Sequence, residues 1–138
     1  MLNAAMTDMI ATNRTTAILG MGATGLSVAR YLSAMGQSFV IADSRQQPPN
    51  LATVQQQYPD APLMVGPFAD DLLLGFDTVV VSPGISLAEP ALVVARQQGV
   101  RLVGDVELFL AQAKAPVILI TGSNGKSTVT QLVGEMAQ

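Results

Sequence analysis

Residues 15–36 read TTAILGMGATGLSVARYLSAMG, an apolar run followed by a glycine-rich turn and a segment with helical spacing. The run Thr15–Leu19 predicts a buried β-strand, because strands covered on both faces read as continuous apolar stretches. Between Thr24 and Met35 apolar residues recur every three to four positions, which predicts a helix that ends at Gly36. This order of strand, turn and helix is typical of an α/β protein.

The same alternation continues along the rest of the chain. Further apolar runs predict strands at 38–42, 63–65, 78–81, 101–103 and 117–120. Segments with helical spacing or helix-ending residues predict helices at 51–58, 90–98, 105–114 and 126–137. Asn50 stands where the first of these helices needs an N-cap. We therefore predict an α/β fold, a Rossmann-like doubly wound parallel sheet of about five strands, followed by the first strand, phosphate loop and helix of a second domain.

The segment 113–116, Ala-Lys-Ala-Pro, is the candidate boundary between the two domains. It predicts a first domain at 1–113 and the beginning of a second at 114–138. On the last helix, four apolar residues share one face at i, i+3, i+4 and i+7 spacing, namely Val129, Leu132, Val133 and Met136. We expect this face to pack on the first domain, to fray, or to pair with a second copy, so that a dimer through this helix is one prediction.

Composition excludes several classes of protein. The 138 residues include no cysteine and no histidine, which excludes His-containing catalytic triads, zinc fingers, iron–sulfur sites and disulfide frameworks. Seven basic residues stand against ten acidic ones and are scattered singly, which argues against nucleic-acid binding. No apolar run approaches the roughly 18 residues of a membrane span, and Met1–Asn13 does not resemble a secretory signal. We expect a cytoplasmic protein.

The first candidate site is the motif Gly20–Gly25, a G-x-G-x-x-G between a strand and a helix. Its glycines permit a tight turn, and the helix N-terminus offers free N–H groups to a phosphate. Asp43 ends the next strand, where NAD-binding folds place an acid that accepts hydrogen bonds from a ribose. Arg45, after Ser44, has a planar cation that can stack on a base or meet a phosphate. A plain glycine turn and a polar loop are the alternatives.

The second candidate site is the turn Ser82–Ile85, Ser-Pro-Gly-Ile, which follows the predicted strand 78–81. Ligands of open α/β sheets bind outside the carboxyl ends of the strands. Because the glycine loop 20–25 also follows a strand, the two segments are expected to form facing walls of one pocket. The alternative is that Ser-Pro-Gly is only a turn.

The most specific motif is Thr121–Thr128, Thr-Gly-Ser-Asn-Gly-Lys-Ser-Thr, again between a strand and a helix. Loop amides of this kind cradle a phosphate, Lys126 adds charge at the β- and γ-phosphates, and the Ser127 hydroxyl can bind Mg²⁺. The motif departs from G-x-x-x-x-G-K-[ST] at its first position, where Ile120 stands. Two glycine loops in one chain suggest two separate nucleotides.

Residues 121–128 resemble the T-G-[ST]-N-G-K-[ST] phosphate loop of the Mur ligase and folylpolyglutamate synthase superfamily, which is shortened in the same way. With residues 20–25, 43–45, 81–85 and 103–109, the chain is similar to the Mur ligases of peptidoglycan synthesis. The resemblance implies that ATP phosphorylates the terminal carboxylate of UDP-N-acetylmuramoyl-L-alanine and that the amine of D-glutamate attacks the acyl phosphate. It also implies a role in cell-wall biogenesis, cell shape and cell division.

The resemblance implies two ligand sites. ATP would be bound by Gly122, Ser123, Asn124, Gly125, Lys126, Ser127 and Thr128, with Ser127 also a Mg²⁺ ligand. The UDP part of the substrate would be bound by Gly22, Ala23, Thr24, Asp43, Ser44, Arg45, Ser82, Pro83, Gly84 and Ile85. UDP is favoured over NAD because a second loop for ATP has no place in a simple dehydrogenase. An NAD(P)-binding module and a non-enzymatic nucleotide-binding regulator are the alternatives.

The sequence ends shortly after Lys126, whereas a phosphate-loop domain also needs an acidic residue near the γ-phosphate. The resemblance further implies a central-domain glutamate and histidine, a carbamylated lysine and a glutamate-binding domain, which these 138 residues do not supply. We therefore expect the N-terminal part of a ligase, one that binds the UDP moiety, holds no catalytic residue and is not catalytically competent alone.

Overall fold

The structure is a computed structural model of the chain and describes residues 16–137. The strands are β1 (Thr16–Leu19), β2 (Phe39–Asp43), β3 (Leu63–Val65), β4 (Thr78–Val81) and β5 (Arg101–Val103). The helices are α1 (Ala23–Ala34), α2 (Leu51–Gln57), α3 (Pro90–Gln97), α4 (Asp105–Gln112) and α5 (Lys126–Met136). None of these helices is long and apolar enough to cross a membrane. The prediction of no secretory signal in Met1–Asn13 lies outside the described residues.

The five strands form one parallel sheet in the order β3-β2-β1-β4-β5. In this sheet β1 is central and pairs with β2 and β4, so that Thr16 lies opposite Phe39 on one side and Thr78 on the other. The two outer pairings are also parallel, which confirms the predicted α/β fold. Because parallel strands all end at one edge, the loops that follow β1, β2 and β4 meet at that edge.

The sheet has an apolar core on each of its two faces, because successive side chains of a strand point to opposite sides. On one face Leu19 and Val79 pack in a cluster with Leu92 of helix α3. On the other face Ile18 and Ile41 belong to a cluster that includes residues of α1 and α2. Both faces of the sheet are thus covered, and the sheet is doubly wound. The inner strands β1, β2 and β4 read as continuous apolar runs in the sequence because both of their faces are buried.

The connection from β3 to β4 contains no helix. It crosses from the edge of the sheet to the strand beside β1 through turns. Leu73 and Phe76 of this connection are buried in the same core as α3. Phe68 and Leu72 pack against the same core, so apolar side chains of this connection help to cover this face of the sheet.

The apolar run at 117–120 does not form the predicted strand. These residues have no regular secondary structure and are not part of the five-stranded sheet. A strand forms only where a neighbouring strand satisfies its backbone N–H and C=O groups. Ile118 and Leu119 are exposed instead of buried. The prediction of a first strand for the second domain is therefore wrong for this structure, which has only the loop and helix α5.

The chain divides into two compact units, one that runs to Leu108 and one from Phe109 to Gln138. The first unit contains the whole sheet with helices α1 to α3. The second contains the end of α4, a segment without regular structure and α5. The domain boundary predicted after residue 113 stays a prediction.

Helix α5 buries none of its residues. Val129 and Leu132 of its apolar face are exposed, and Met136 is 87% exposed. Three of the four residues in the apolar stripe predicted from the sequence are thus exposed, and the fourth, Val133, is half-buried. A dimer through this helix stays a prediction.

Candidate nucleotide site

Strands β1 and β4 are neighbours in the sheet, although the chain passes through β2 and β3 between them. The helix that follows β1 covers one face of the sheet, and the helix that follows β4 covers the other. Open α/β sheets bind ligands at such a switch point, outside the carboxyl ends of the strands. The loop 20–25 follows β1 and the turn 82–85 follows β4, so the structure brings these two predicted segments together.

The glycines of the loop allow contacts that a side chain would block. Gly20 has a φ of +100°, and a Cβ there would lie 2.7 Å from the Ser82 Oγ. A Cβ on Gly25 would lie 1.8 Å from the carbonyl oxygen of Gly20, so helix α1 begins in direct contact with the loop. Gly22 instead faces open space and is the N-cap of α1 without a side-chain hydrogen bond. No side-chain cap therefore occupies the first-turn amides of α1.

Asp43, the last residue of β2, holds this loop from the side. Its side chain is only 3% exposed, and its Oδ2 accepts a hydrogen bond from the Met21 N–H at 2.8 Å. The Arg45 backbone N–H and Nε donate to Oδ1 at 3.0 and 2.8 Å, and its Nη2 donates to Oδ2 at 2.7 Å. Each carboxylate oxygen thus accepts two bonds from the protein, which fills the usual capacity of both.

The ion pair with Arg45 lowers the pKa of Asp43. The pKa of Asp43 is lowered from 3.8 to about 2, first by the hydrogen bonds from the guanidinium and against the effect of burial, which raises it. The bonds from the Met21 and Arg45 amides contribute to the same lowering. Asp43 in turn raises the pKa of Arg45 through the same hydrogen bonds. Both groups are therefore charged at neutral pH.

Low pH is expected to reduce the stability of the fold, because it protonates Asp43. Because the pKa of Asp43 is lower in the folded than in the unfolded chain, its charge stabilises the fold above about pH 4, and this contribution is lost as the pH falls toward 2. The contribution is on the order of 2 kcal/mol. The free energy of unfolding should be measured in urea at pH 5 and at pH 2 for the wild-type protein and for Asp43→Asn. Between these two pH values it should fall by about 2 kcal/mol more in the wild-type protein than in the variant. The same pH dependence in both proteins would contradict the ion pair.

Ser44 and Arg45 form the outer side of this arrangement. Ser44 is exposed, and the Arg45 side chain is 54% exposed although Asp43 binds one edge of its guanidinium. A planar cation held by one edge presents its face and remaining N–H groups to a ligand. The structure thus places Ser44 and Arg45 where a ligand can reach them, whereas the Asp43 carboxylate is bound by the protein itself. Contact of residues 43–45 with UDP stays a prediction.

The turn 82–85 contributes a free hydroxyl to the switch point. The Ser82 N–H donates to the Leu19 carbonyl at 3.1 Å, and the Ile85 N–H donates to the Ser82 carbonyl at 3.0 Å. The Ser82 Oγ is buried without a hydrogen-bond partner in the described part of the chain. A buried polar atom left unpaired is costly, so this hydroxyl is the kind of group that a ligand satisfies. Pro83 and Gly84 are exposed at the tip of the turn.

A cavity of about 670 Å³ opens beside this turn and continues along the end of β5. Ser82, Ile85, Gly104 and Asp105 are among the residues that line it. Its volume lies within the roughly 300–1,000 Å³ of small-molecule sites. Residues 103–105 thus contribute one wall of this cavity.

Asn50 belongs to this region, although the sequence predicts it only as a helix cap. It stands at the N-cap position of α2, but its side chain makes no hydrogen bond to that helix. Its Nδ2 donates instead to the Met21 carbonyl oxygen at 2.7 Å. Met21 is thus held at its N–H by Asp43 and at its C=O by Asn50. No periodicity in the sequence signals a contact between such distant positions.

The second phosphate loop lies in the unit that begins at Phe109. Gly125 adopts a left-handed conformation before α5, with a φ of +75°. The amine of Lys126 donates to the carbonyl oxygen of Gly122, which closes the loop on itself. Residues 121–130 are all exposed. The loop has donors that suit a phosphate, but contacts made in solvent are weak.

Ser127 is the predicted Mg²⁺ ligand, and its surroundings do not complete a metal site. Residues 16–137 hold no group of three or more acidic, histidine or cysteine residues that could bind a metal ion. Mg²⁺ is bound in proteins by carboxylates, phosphates and water. The exposed Ser127 hydroxyl does not supply such a set by itself. Its role as a ligand stays a prediction.

Comparison with known proteins identifies relatives of the whole chain. The family model described as Mur ligase MurD-like, N-terminal domain, matches residues 14–104. The UDP-N-acetylmuramoylalanine–D-glutamate ligase of Marinobacter nauticus is 53% identical over 131 residues, 95% of this chain and 29% of that protein. The protein of the same name in Nitrosococcus oceani is 51% identical over 138 residues, 100% of this chain and 30% of its own length. The chain thus spans about 30% of the length of these relatives.

Solved structures show the same fold at lower identity. The UDP-N-acetylmuramate-alanine ligase MurC of Thermotoga maritima matches with a TM-score of 0.60 and 23% identity, over 88% of this chain and 28% of that one. A pseudomurein peptide ligase type C from Methanothermus fervidus matches with a TM-score of 0.59 and 21% identity, over 90% of this chain and 26% of that one. At these identities the likeness concerns the fold alone.

Proposed function

The chain belongs to the Mur ligases with a MurD-like N-terminal domain, a family of peptidoglycan precursor ligases, and we propose that it binds the UDP portion of the substrate of such an enzyme. In this proposal the whole protein is cytoplasmic and joins D-glutamate to UDP-N-acetylmuramoyl-L-alanine with the use of ATP. Residues 1–113 bind the substrate, and residues 114–138 begin the ATP-binding domain. The observation that carries the proposal is the meeting of the loop 20–25 with the turn 82–85 at the switch point.

Three features of the switch point support a pyrophosphate ligand. The first-turn amides of α1, around Ala23 and Thr24, have no side-chain cap and lie at the positive end of the helix dipole. Gly22 leaves open space in front of them. The Ser82 hydroxyl offers a further donor. In this proposal the phosphates bind at this loop and the exposed guanidinium of Arg45 meets the uracil.

The contacts of Asp43 support UDP over NAD. In NAD-binding folds the acid at the end of this strand accepts hydrogen bonds from ribose hydroxyls. Here Met21 and Arg45 already donate two bonds to each of its oxygens. A ribose would have to displace the guanidinium from a buried carboxylate.

In the proposed reaction a carboxylate oxygen of the substrate attacks the γ-phosphorus of ATP, and ADP leaves. The amine of D-glutamate then attacks the acyl carbon, phosphate leaves with its electron pair, and the amide nitrogen loses a proton. The residues of the first unit bind and orient the UDP end. Lys126 and the amides of its loop would hold ATP phosphates, whose charge a bound Mg²⁺ would neutralise. We expect no amide formation by these 138 residues alone, because the described residues around Lys126 provide no metal-binding cluster.

Calorimetric titration of the 138-residue chain tests the proposal. UDP and UDP-N-acetylmuramoyl-L-alanine are expected to bind at one site per chain. ATP is expected to bind at least about tenfold more weakly, because residues 121–128 are exposed. NADH and NADPH are expected not to bind. Binding of NADH or NADPH without binding of UDP would overturn the proposal, and amide product made by this chain would overturn its inactivity.

A further inference from the structure

We infer that Asn50 is a positioning residue of the proposed UDP site, which aims the Gly22 N–H of the glycine loop at the phosphates. The inference rests on the proposed function, because it assigns a partner to the loop that binds UDP. Asn50 itself does not touch the ligand in this account. It acts through the backbone of Met21 and Gly22.

The two peptide groups beside Met21 are held from opposite ends. Asp43 Oδ2 accepts the Met21 N–H at 2.8 Å, and Asn50 Nδ2 donates to the Met21 C=O at 2.7 Å. The Met21 side chain is fully buried, which anchors the same residue a third time. The loop between Gly20 and Gly22 is therefore held by β2 and by the start of α2.

Peptide geometry links the hydrogen bond from Asn50 to the direction of the Gly22 N–H. The carbonyl of Met21 and the N–H of Gly22 belong to one planar trans peptide, so they point in opposite directions. When Asn50 holds that carbonyl, it also sets the direction of the Gly22 N–H. Gly22 faces open space in front of α1. Preorganised amides of this kind bind an anion more tightly, because no ordering cost is incurred on binding.

The side chain of Asn50 is free for this role because α2 does not use it. Asn50 makes no side-chain cap bond, and its backbone carbonyl accepts the Val54 N–H at 2.9 Å. Substitution of its side chain therefore leaves the start of α2 intact. The effect on the loop can be measured apart from the stability of the helix.

Three variants of the 138-residue chain test the inference. Asn50→Ala removes the donor, and Asn50→Asp keeps the shape of the side chain but places a carboxylate oxygen against the Met21 carbonyl. Gln55→Ala, an exposed amide on the same helix, is the matched control. The Kd of UDP is expected to rise about five- to tenfold in both Asn50 variants. The Kd of uridine, which has no phosphate, should change less than about twofold. The control should match the wild-type protein for both probes.

Hydrogen exchange provides a readout that does not depend on a ligand. The Met21 amide is expected to exchange several times faster in both Asn50 variants and unchanged in Gln55→Ala. If wild-type protein fails to bind UDP, the proposed function fails, while the exchange of Met21 still decides whether Asn50 holds the loop. If wild-type protein binds UDP and the Asn50 variants match the control in Kd and exchange, the inference is wrong. Equal losses for UDP and uridine would also overturn it, since they would indicate general damage.

Discussion

The Gly25→Ala variant is expected to lose about 3 kcal/mol or more of its free energy of unfolding. A Cβ at this position would lie 1.8 Å from the Gly20 carbonyl oxygen, and that oxygen belongs to the backbone and cannot rotate away. Relief requires helix α1 to move off the sheet. In thermal unfolding followed by circular dichroism, the melting temperature should fall by at least about 10 °C.

Gly22→Ala is the matched control for this prediction, because nothing lies within 4 Å of the position of its Cβ. Its melting temperature should stay within about 2 °C of the wild-type value, since a change without a clash costs little. Its affinity for UDP should nevertheless fall, because the methyl group enters the space in front of α1. Equal destabilisation by the two substitutions would contradict the packing described for the loop.

The Leu92→Ala variant is expected to lose about 3 kcal/mol of its free energy of unfolding in urea. Leu92 of helix α3 is fully buried in the core that contains Leu19 and Val79. Removal of three carbon atoms there leaves a cavity that the sheet cannot close.

Val93→Ala is the control, because Val93 is the next residue of the same helix and is exposed. Its cost should stay within about 1 kcal/mol. A similar cost for Leu92→Ala and Val93→Ala would mean that α3 does not pack on the sheet through the face described.

Much of the first unit was predictable because its three inner strands, β1, β2 and β4, are buried on both faces. Val79–Val81 is a continuous β-branched run for this reason, and Gly36 and Gly99 follow the ends of helices that the sequence predicts. The glycine motif was predictable as well, since Gly20 and Gly25 permit contacts that no side chain allows. At these positions the residue type is determined by burial or by the local backbone conformation, so the sequence pattern alone predicts the structure.

The failed prediction at 117–120 has a different cause. An apolar run indicates a preference for burial and an extended backbone, but a strand exists only with a hydrogen-bonded neighbour. The sheet described here does not provide one for these residues. A pattern within four residues contains no information about that partner.

The contacts of the site depend on long-range geometry that the sequence does not display. Asp43 was predicted as a ligand-binding acid, yet Met21 and Arg45 occupy its oxygens. Arg45 is only two residues from Asp43, so an ion pair between the two side chains is possible. The spacing alone does not show that this pair forms. The bond from Asn50 to Met21 depends on the placement of α2 beside the loop.

Amide chemical shifts of the 138-residue chain, recorded with and without UDP, locate the ligand directly. The proposed site predicts the largest shifts at Gly22, Ala23 and Thr24, with smaller ones at the turn 82–85 and at Arg45. Residues 121–128 should be unaffected at the same UDP concentration. Shifts confined to 121–128, or an absence of shifts at both the loop 20–25 and the turn 82–85, would contradict a UDP site at the switch point of the sheet.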